Sequence, residues 1–370
     1  MRKLLYITDQ DEYTDHSFIG PLFEKYLKKF YDVDIIYFSE FKAEFEKRDK
    51  NRFIFPLNSK KNLIKELKNS KIDISSYYYI VVRNDAKILK NILNSSKEYN
   101  YKVGYRLSFP KRRAKLEVDK ANRKSNIFKD LNTIIATSLE KNLINQCDIF
   151  LPASRQLKEE YFKDITAKTF ICPPAIDPEI LHENVQHNES EKRFFYAGTL
   201  DKLREFETVL EAFSSLNSTN WKLIISTKDP QYAKEVINSF DNLKQNIEIH
   251  NAKTKKELLD LISEADIGVS ILPSIPLFDT STPVKIIDYY SSAIPCIMTD
   301  NANSSEIFIN DKEAWFCEFS KDTIKKKLEY ILDLPKEEVT QVGMAGQKKL
   351  LATRNYERIA ADLAHQLDIL

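Results

Sequence analysis

The sequence predicts an α/β protein of two domains, each built on a parallel β-sheet. Short apolar runs alternate with helical patterns in the first half of the chain, and the same alternation restarts near residue 193. Strand, helix and strand at such spacings are typical of βαβ units, in which the strands lie parallel. With 370 residues, the chain is long enough for two hydrophobic cores of ordinary size. Its content of 42% hydrophobic and 30% charged residues is typical of a globular protein.

The first domain opens with a predicted βαβ unit. Apolar runs at residues 3–8 and 33–38 predict two strands, and between them apolar residues spaced three and four apart predict a helix. Residues 9–17 form a predicted loop that contains His16, and Gly20 stands at the entry to the helix. Further strands are predicted at residues 77–82, 102–107 and 148–152, and helices at residues 86–94, 139–147 and 156–162.

A basic segment follows the strand predicted at residues 102–107. Arg106 lies at the end of that strand, where an arginine suits a phosphate or a substrate carboxylate; a surface salt bridge explains it as well. Residues 111–124 hold seven Lys and Arg against Glu117 and Asp119. Such a run usually forms a solvated face. The alternative is a patch for anionic lipid headgroups or a phosphorylated acceptor, since each basic residue near a membrane contributes about 1 kcal/mol.

The second domain opens with the strand predicted at residues 193–197, which leads into Gly198 and Thr199. A glycine lets the backbone turn tightly beneath a phosphate. Arg204 follows six residues after the glycine, where a cation would neutralise a diphosphate leaving group. More strands are predicted at residues 222–226, 247–250, 266–272 and 315–319, and residues 356–367 form a predicted amphipathic helix.

Residues 279–297 carry the densest set of functional signals. Thr282 is predicted to cap a helix, with Pro283 at its first position, where no backbone N–H is needed. Lys285 in the first turn and the free amides at a helix N-terminus suit a phosphate. Asp288, on the same face as Lys285, suits the hydroxyls of a sugar. An ordinary buried αβ unit with a capped helix remains the alternative.

Composition argues against several other classes of protein. A net charge of +1 argues against nucleic acid as the partner. The four cysteines are widely spaced with no CxxC pair, which predicts reduced core thiols and no structural zinc. Neither a GxGxxG nor a Walker motif is present. With no apolar run long enough to span a membrane and no signal-peptide pattern, the predicted location is the cytoplasm.

The stretch around Lys285 resembles the donor site of family-4-type glycosyltransferases with the GT-B fold. Many members of that family carry Ser-x-Pro-x-Lys-x-x-Glu-Tyr, which stands here as Ser281, Pro283, Lys285, Asp288 and Tyr289. In the family, the glutamate grips the ribose of the donor, and the amides of the preceding loop and helix hold the diphosphate. Asp288 is about one methylene shorter than that glutamate.

A second motif of the family, Gly-Arg-Leu-x-x-x-Lys-Gly, is matched in part. Gly198 and Arg204 occupy its first Gly and its Lys, whereas Thr199 replaces its Arg and Glu205 its second Gly. The upstream glutamate of the Glu-x7-Glu pair of the family falls on Thr280. One of two expected cations and one of two expected carboxylates are therefore absent.

The resemblance implies a GT-B architecture, in which two Rossmann-like domains face each other across a cleft. Residues 1–180 would form the acceptor domain and residues 190–350 the domain that binds a nucleotide sugar, with 184–192 as linker. Residues 351–370 would form a C-terminal helix that packs back towards the first domain.

The resemblance also implies an activity, the transfer of a sugar from a nucleotide-sugar donor to a saccharide or lipid-linked acceptor in cell-surface glycan synthesis. The reaction would retain configuration and need neither cofactor nor metal. Segment 111–124 would give peripheral contact with an anionic membrane at its inner face. The candidate catalytic residues are Arg204, Lys285 and Arg106, and the donor-binding residues are Gly198, Thr199, Ser281, Thr282, Pro283, Val284 and Asp288.

Two alternatives remain. The departures at Thr280 and Thr199 favour a catalytically weak or inactive subunit that binds a sugar nucleotide. A nucleotide-sugar epimerase would keep the fold but needs paired carboxylates in the cleft, and the sequence shows no such pair.

Overall fold

The computed structural model describes residues 1–11, 19–124, 126–182 and 191–370. His16 and most of the predicted linker lie outside these residues. The chain divides into two compact units, Met1–Pro173 with Tyr356–Leu370, and Pro174–Asn355.

The first unit contains a seven-stranded sheet in the order β3-β4-β2-β1-β5-β6-β7. All neighbouring strands are parallel except β3, which is antiparallel to β4. The inner strands are buried on both faces, as continuous apolar runs predict for a parallel sheet. The strands are β1 (Lys3–Asp11), β2 (Asp32–Ser39), β3 (Glu46–Lys47), β4 (Arg52–Pro56), β5 (Tyr77–Arg83), β6 (Lys102–Leu107) and β7 (Ile149–Pro152).

Short helices connect these strands, and most of the α-helices begin at a polar cap. Asp85 caps α2, Asn126 caps α4 and Ser154 caps α5, each accepting a hydrogen bond from a backbone N–H of the first turn. The α-helices are α1 (Leu63–Asn69), α2 (Ala86–Tyr99), α3 (Lys111–Ala121), α4 (Ile127–Ile144) and α5 (Arg155–Tyr161). A π-helix, Ile19–Tyr26, and 3-10 helices at Leu27–Lys29, Leu57–Asn62 and Ile74–Ser76 complete the connections.

The second unit contains a six-stranded parallel sheet in the order β10-β9-β8-β11-β12-β13. Side chains alternate between its faces, so that Phe194 and Tyr196 enter one core while Phe195 and Ala197 enter the other. The strands are β8 (Lys192–Ala197), β9 (Trp221–Ser226), β10 (Ile247–His250), β11 (Ile267–Ser270), β12 (Cys296–Thr299) and β13 (Trp315–Cys317).

The helices of the second unit connect its parallel strands and extend beyond the last one. They are α6 (Phe206–Ser214), α7 (Pro230–Ile237), α8 (Lys255–Ser263), α9 (Pro276–Asp279), α10 (Val284–Ser291), α11 (Ala302–Ile307), α12 (Lys321–Asp333) and α13 (Lys336–Thr353), with a 3-10 helix at Asp241–Leu243.

The C-terminal helix α14 (Tyr356–Asp368) packs in the first unit, which confirms the predicted return of the chain. Tyr31 donates its hydroxyl to Asp368 Oδ1 at 2.8 Å, and the hydroxyl of Tyr79 donates to the carbonyl of Leu367 at 2.7 Å. The buried side chains of this helix lie on the face that the apolar spacing of the sequence indicates.

The four cysteines are buried and carry free thiols, as predicted. Two predicted boundaries differ from the structure. The helix predicted at residues 139–147 begins twelve residues earlier, at Ile127, and the basic run 111–124 contains a helix of its own, α3.

Both sheets contain a point at which the strand order reverses. In the second unit the chain moves outward from β8 through β9 to β10, and then returns to lay β11 on the other side of β8. In open α/β sheets, ligands bind outside the carboxyl ends of the strands at such a point. The corresponding point in the first sheet lies between β1 and β5.

A substitution at Gly268 in β11 tests how tightly α10 packs on the second sheet. A Cβ at this position would lie 2.2 Å from Cδ2 of the buried Tyr289. We therefore expect Gly268→Ala to lower the free energy of unfolding by about 1–3 kcal/mol, the usual cost of overpacking a core. At Gly20 an added Cβ has no atom within 4 Å, so Gly20→Ala is the control. Equal stability of both variants in chemical denaturation would contradict this packing.

Candidate functional site

Gly198 begins the turn at the carboxyl end of β8, next to the reversal point. Its φ of 146° lies in the region that favours glycine, and its N–H donates to the carbonyl of Ser226 at 3.0 Å. Gly198 and Thr199 are both exposed. The predicted glycine turn is therefore present, with its two residues open to a ligand.

Tyr289, a residue of α10, links the end of β8 to the neighbouring strand β11. Its buried hydroxyl accepts a hydrogen bond from the N–H of Ala197 at 3.0 Å and lies 3.3 Å from the carbonyl of Val269 as donor. Because Ala197 directly precedes Gly198, Tyr289 couples α10 to the end of β8.

Tyr196 brings the glycine turn and the first turn of α10 together. Its hydroxyl donates to the carbonyl of Thr199 at 3.0 Å, and the ammonium of Lys285 lies 3.8 Å from the centroid of its ring. A cation at this distance from an aromatic face is attracted by the ring quadrupole. The two segments that the sequence singled out independently thus lie at the same edge of one sheet.

The ammonium of Lys285 has little solvent around it. Desolvation lowers its pKa from the ordinary 10.5 to about 7, and the nearby guanidinium of Arg204 acts in the same direction. The thiol of Cys296 raises the pKa of Lys285, with an effect smaller than that of desolvation and larger than that of Arg204. A phosphate beside Lys285 would favour the charged form, because an opposite charge raises the pKa of an amine.

Arg204 is paired with Asp201 within the same turn. Its guanidinium forms a salt bridge with the carboxylate of Asp201, and its backbone N–H also donates to that carboxylate, at 3.0 Å. The guanidinium carbon lies 5.7 Å from the ring centroid of Phe278. Glu205, at the position of the second glycine of the family motif, adopts a left-handed conformation with a φ of 45°. The sequence therefore keeps the turn of that motif without its glycine.

The predicted capping of α10 is wrong. The helix begins at Val284, Pro283 precedes it, and no side chain caps it. Thr282 is occupied elsewhere, because its hydroxyl donates to Asn303 Oδ1 at 2.6 Å and accepts from Arg354 Nη1 at 2.9 Å.

The first amides of α10 therefore have no partner from the capping residue, and helix geometry gives them none within the helix. Ser281, beside them, has its hydroxyl 3.4 Å from the carbonyl of Leu277. Such an N-terminus is suited to an anion, since both the amides and the helix dipole favour negative charge.

Asp288 is buried and forms an ion pair with Lys255. Lys255 is the first residue of α8, whose N-terminus is fixed by Thr254, the side chain of which accepts from the N–H of Glu257 at 3.1 Å. A ligand hydroxyl at Asp288 would share its carboxylate with Lys255. The sequence alone did not single out Lys255, because its pairing with Asp288 joins two segments that are far apart in the chain.

Asp279 and Arg354 were also missed. Asp279 Oδ1 is buried without a hydrogen-bond partner among the described residues, and desolvation raises the pKa of this carboxyl. Asp279 is adjacent to Thr280, where the first glutamate of the family pair was expected. Desolvation lowers the pKa of Arg354 to about 10, and its guanidinium holds the loop before α10 through Thr282.

Arg106 lies in the first unit, near the carboxyl end of β6, and is 1% exposed. Its Nη1 donates to the carbonyls of Leu107 at 2.8 Å and Leu151 at 3.0 Å. Arg83, at the end of the adjacent β5, lies close enough to help burial lower the pKa of Arg106. A role of Arg106 towards a substrate stays a prediction.

Comparison with known proteins identifies the second unit. Residues 177–349 match the family model described as Glycosyl transferases group 1. This chain carries a glycosyltransferase group 1 domain. The predicted enzyme class, a glycosyltransferase, is thereby confirmed. No curated protein sequence matches the chain significantly.

Solved structures confirm the predicted GT-B fold. Sucrose-phosphate synthase from Thermosynechococcus elongatus is 12% identical, with a TM-score of 0.75 over 99% of this chain and 98% of that chain. Anabaena HepE, solved in complex with UDP-glucose, is 11% identical, with a TM-score of 0.71 over 100% of both chains.

A third similar structure is the UDP-forming α,α-trehalose-phosphate synthase from Burkholderia xenovorans, solved in complex with glucose-6-phosphate. It is 11% identical, with a TM-score of 0.67 over 99% of this chain and 100% of that chain. At such identities these likenesses establish the fold of the glycosyltransferase.

The pKa of Lys285 predicts how the stability of the free protein depends on pH. The unfolded chain holds this proton up to a pH near 10.5, whereas the folded protein binds it only below about 7. Between these values the unfolded state binds more protons, so the free energy of unfolding falls as the pH is lowered through this window.

Lys285→Met should reduce that fall between pH 9.5 and pH 7, measured by denaturation at each pH. The exposed Lys234→Met is the control and should behave as the wild type does. An unchanged pH dependence in Lys285→Met would show that Lys285 remains protonated across this range.

Proposed function

We propose that this glycosyltransferase moves a sugar from a nucleotide-sugar donor to a saccharide or lipid-linked saccharide. The observation that carries the proposal is the convergence of the turn at Gly198, the uncapped N-terminus of α10, and the cations Arg204 and Lys285 at the reversal point of one parallel sheet. Amides and cations at such a point suit a diphosphate. Two of the similar structures were solved with UDP-glucose and with glucose-6-phosphate, which supports a nucleotide sugar and a sugar acceptor.

Each site residue has a distinct part in the proposed reaction. Lys285, Arg204 and the backbone N–H groups of Thr282 and Val284 hold the diphosphate and stabilise its charge as it leaves. Because Asp201 already pairs with Arg204, the diphosphate displaces or shares that half-buried contact. Asp288, oriented by Lys255, accepts from the ribose hydroxyls.

Asp279 is our candidate for the hydroxyls of the donor sugar. Its buried Oδ1 has no donor among the described residues, and buried carboxylate oxygens are normally hydrogen-bonded. It would supply the carboxylate that Thr280 lacks. This assignment places acidic residues at positions 279 and 288, one residue further apart than the pair of glutamates in the family motif.

The remaining features of the proposal follow from the likeness to the family and from the composition of the first unit. The family-4-like subtype rests on the motif that ends at Tyr289, and retention of configuration without a metal or other cofactor follows from that likeness. The acceptor would bind the first unit, with Arg106 near its charged group. Cell-surface glycan synthesis and a cytoplasmic location, with segment 111–124 against an anionic membrane, complete the proposal.

Donor binding and turnover test this function together. We expect one of UDP, GDP, ADP or CMP to raise the melting temperature, and the matching nucleotide sugars to be turned over with release of that nucleotide. Arg204→Ala should weaken nucleotide binding by about 1.5–3 kcal/mol, the scale of a hydrogen bond to a charged group. Asp279→Asn should weaken binding of the nucleotide sugar more than that of the nucleotide alone, because it acts on the sugar.

The exposed Asp260→Asn is the control and should leave both affinities unchanged. If none of the four nucleotides binds, or if Arg204→Ala binds as tightly as the wild type, the site assignment is wrong.

Binding without any turnover would instead favour an inactive sugar-nucleotide-binding subunit. The specific observation behind this second candidate is the ion pair of Lys255 with the shortened carboxylate Asp288, which limits its reach towards a ribose.

A further inference from the structure

Helix α4 in the first unit exposes its apolar side chains to solvent. Six large apolar residues have exposed fractions between 49% and 83%, namely Ile127, Phe128, Leu131, Ile134, Ile135 and Leu139. At about 100° per residue, they fall within an arc of about 140° on one side of the helix. A continuous apolar face of this kind on a protein surface marks a contact with a partner.

The inward face of the same helix is largely polar. Thr137 and Glu140 are buried, and Tyr105 in β6 donates its hydroxyl to the carboxylate of Glu140. Surface helices of globular domains normally turn their apolar stripe inward. Helix α4 reverses this arrangement over most of its length. The six exposed apolar residues therefore contribute little to the core of their own unit, whereas Ile144, at the end of the helix, is buried in it.

Basic residues flank the apolar face. Helix α3 and the connection to α4 belong to segment 111–124, with its seven basic residues against two acidic ones. The ammonium of Lys129 in α4 bonds to Asp119 Oδ2 at 3.2 Å and to the carbonyl of Lys124 at 2.6 Å, which fixes the two helices side by side. Arg123 and Lys124 are exposed, and they closely precede Ile127 and Phe128, the two most exposed apolar residues of α4.

This combination favours an anionic membrane over a second copy of the chain. In a two-fold symmetric dimer the same patch meets itself, so the basic flanks would repel each other. A lipid surface instead offers acyl chains to the apolar arc and negative headgroups to the basic residues. In the described part of the chain, no helix has both the length and the apolar character needed to cross a membrane.

We propose that α4 lies in the interface of an anionic membrane, with its apolar arc at the boundary of the acyl chains and the basic residues of segment 111–124 on the headgroups. This inference rests on the proposed membrane contact of that segment and adds the element that inserts. It does not depend on the chemistry of glycosyl transfer.

Cosedimentation of the full chain with lipid vesicles tests this inference. We expect binding to mixed phosphatidylcholine–phosphatidylglycerol vesicles, weaker binding to phosphatidylcholine alone, and release by salt. Phe128→Ser should weaken binding at least about tenfold. The variant lacks the aromatic side chain whose transfer from water into the lipid interface favours binding. Phe41→Ser is the matched control, because Phe41 in the same unit is 89% exposed and Phe128 is 78% exposed.

A second pair of variants separates the insertion of apolar side chains from the attraction of basic residues to anionic headgroups. Arg123→Gln with Lys124→Gln should weaken binding only to the anionic vesicles, whereas the exposed pair Lys61→Gln with Lys65→Gln should not. If the charge variant weakens binding and Phe128→Ser does not, the contact of segment 111–124 stands and insertion of α4 is refuted.

Two further results would overturn the inference. One is the absence of binding to either vesicle. The other is a lipid-free dimer, seen by light scattering, that Phe128→Ser dissociates. Nucleotide binding and turnover of the same preparations report separately on the proposed reaction.

Discussion

The contact between Lys285 and the ring of Tyr196 is the interaction on which the proposed site depends. Tyr196 lies in β8 and its hydroxyl fixes the carbonyl of Thr199, whereas Lys285 lies in the first turn of α10. One aromatic side chain thereby sets the spacing between a glycine turn and a helix N-terminus that are far apart in the chain. Tyr289 fixes the same two segments from beneath the sheet. The two segments together place the cations Lys285 and Arg204 at one edge of the sheet.

The charges at this edge are balanced while no ligand is bound. Arg204 is paired with Asp201, Lys255 is paired with Asp288, and the pKa of Lys285 is lowered so far that its charge is partly removed. Such an arrangement limits the repulsion between neighbouring cations. A bound diphosphate would restore the charge of Lys285 and compete with Asp201 for Arg204. The repulsion between the two cations would therefore become large mainly when the negative charge of the donor is present to offset it.

The sequence predicted those features that depend on local chemistry. Continuous apolar runs identified the strands, and Gly198 identified the turn, because both signals are local in the chain. The predicted cap at Thr282 was wrong because its hydroxyl bonds to Asn303 and Arg354, which come from distant segments. Spacing alone also put the missing carboxylate at Thr280, although a carboxylate precedes it by one residue, at Asp279.

The direction in which the apolar face of helix α4 points could not be predicted from the sequence, for a related reason. Periodicity shows that a helix has an apolar face, but it does not show which way that face points. Only the buried contact of Glu140 with Tyr105 establishes that the polar side is the inner one. The start of the helix at Ile127 was missed because its cap, Asn126, closely follows the charged run, which masks the boundary.

Hydrogen–deuterium exchange of the full chain, with and without the nucleotide that binds, tests the central claim most directly. If a diphosphate rests between the glycine turn and the start of α10, the amides of Thr199, Val284 and Lys285 should exchange more slowly in the complex, because they become hydrogen-bonded to phosphate oxygens. Protection confined to one of these two segments, or found elsewhere in the second unit, would contradict the account.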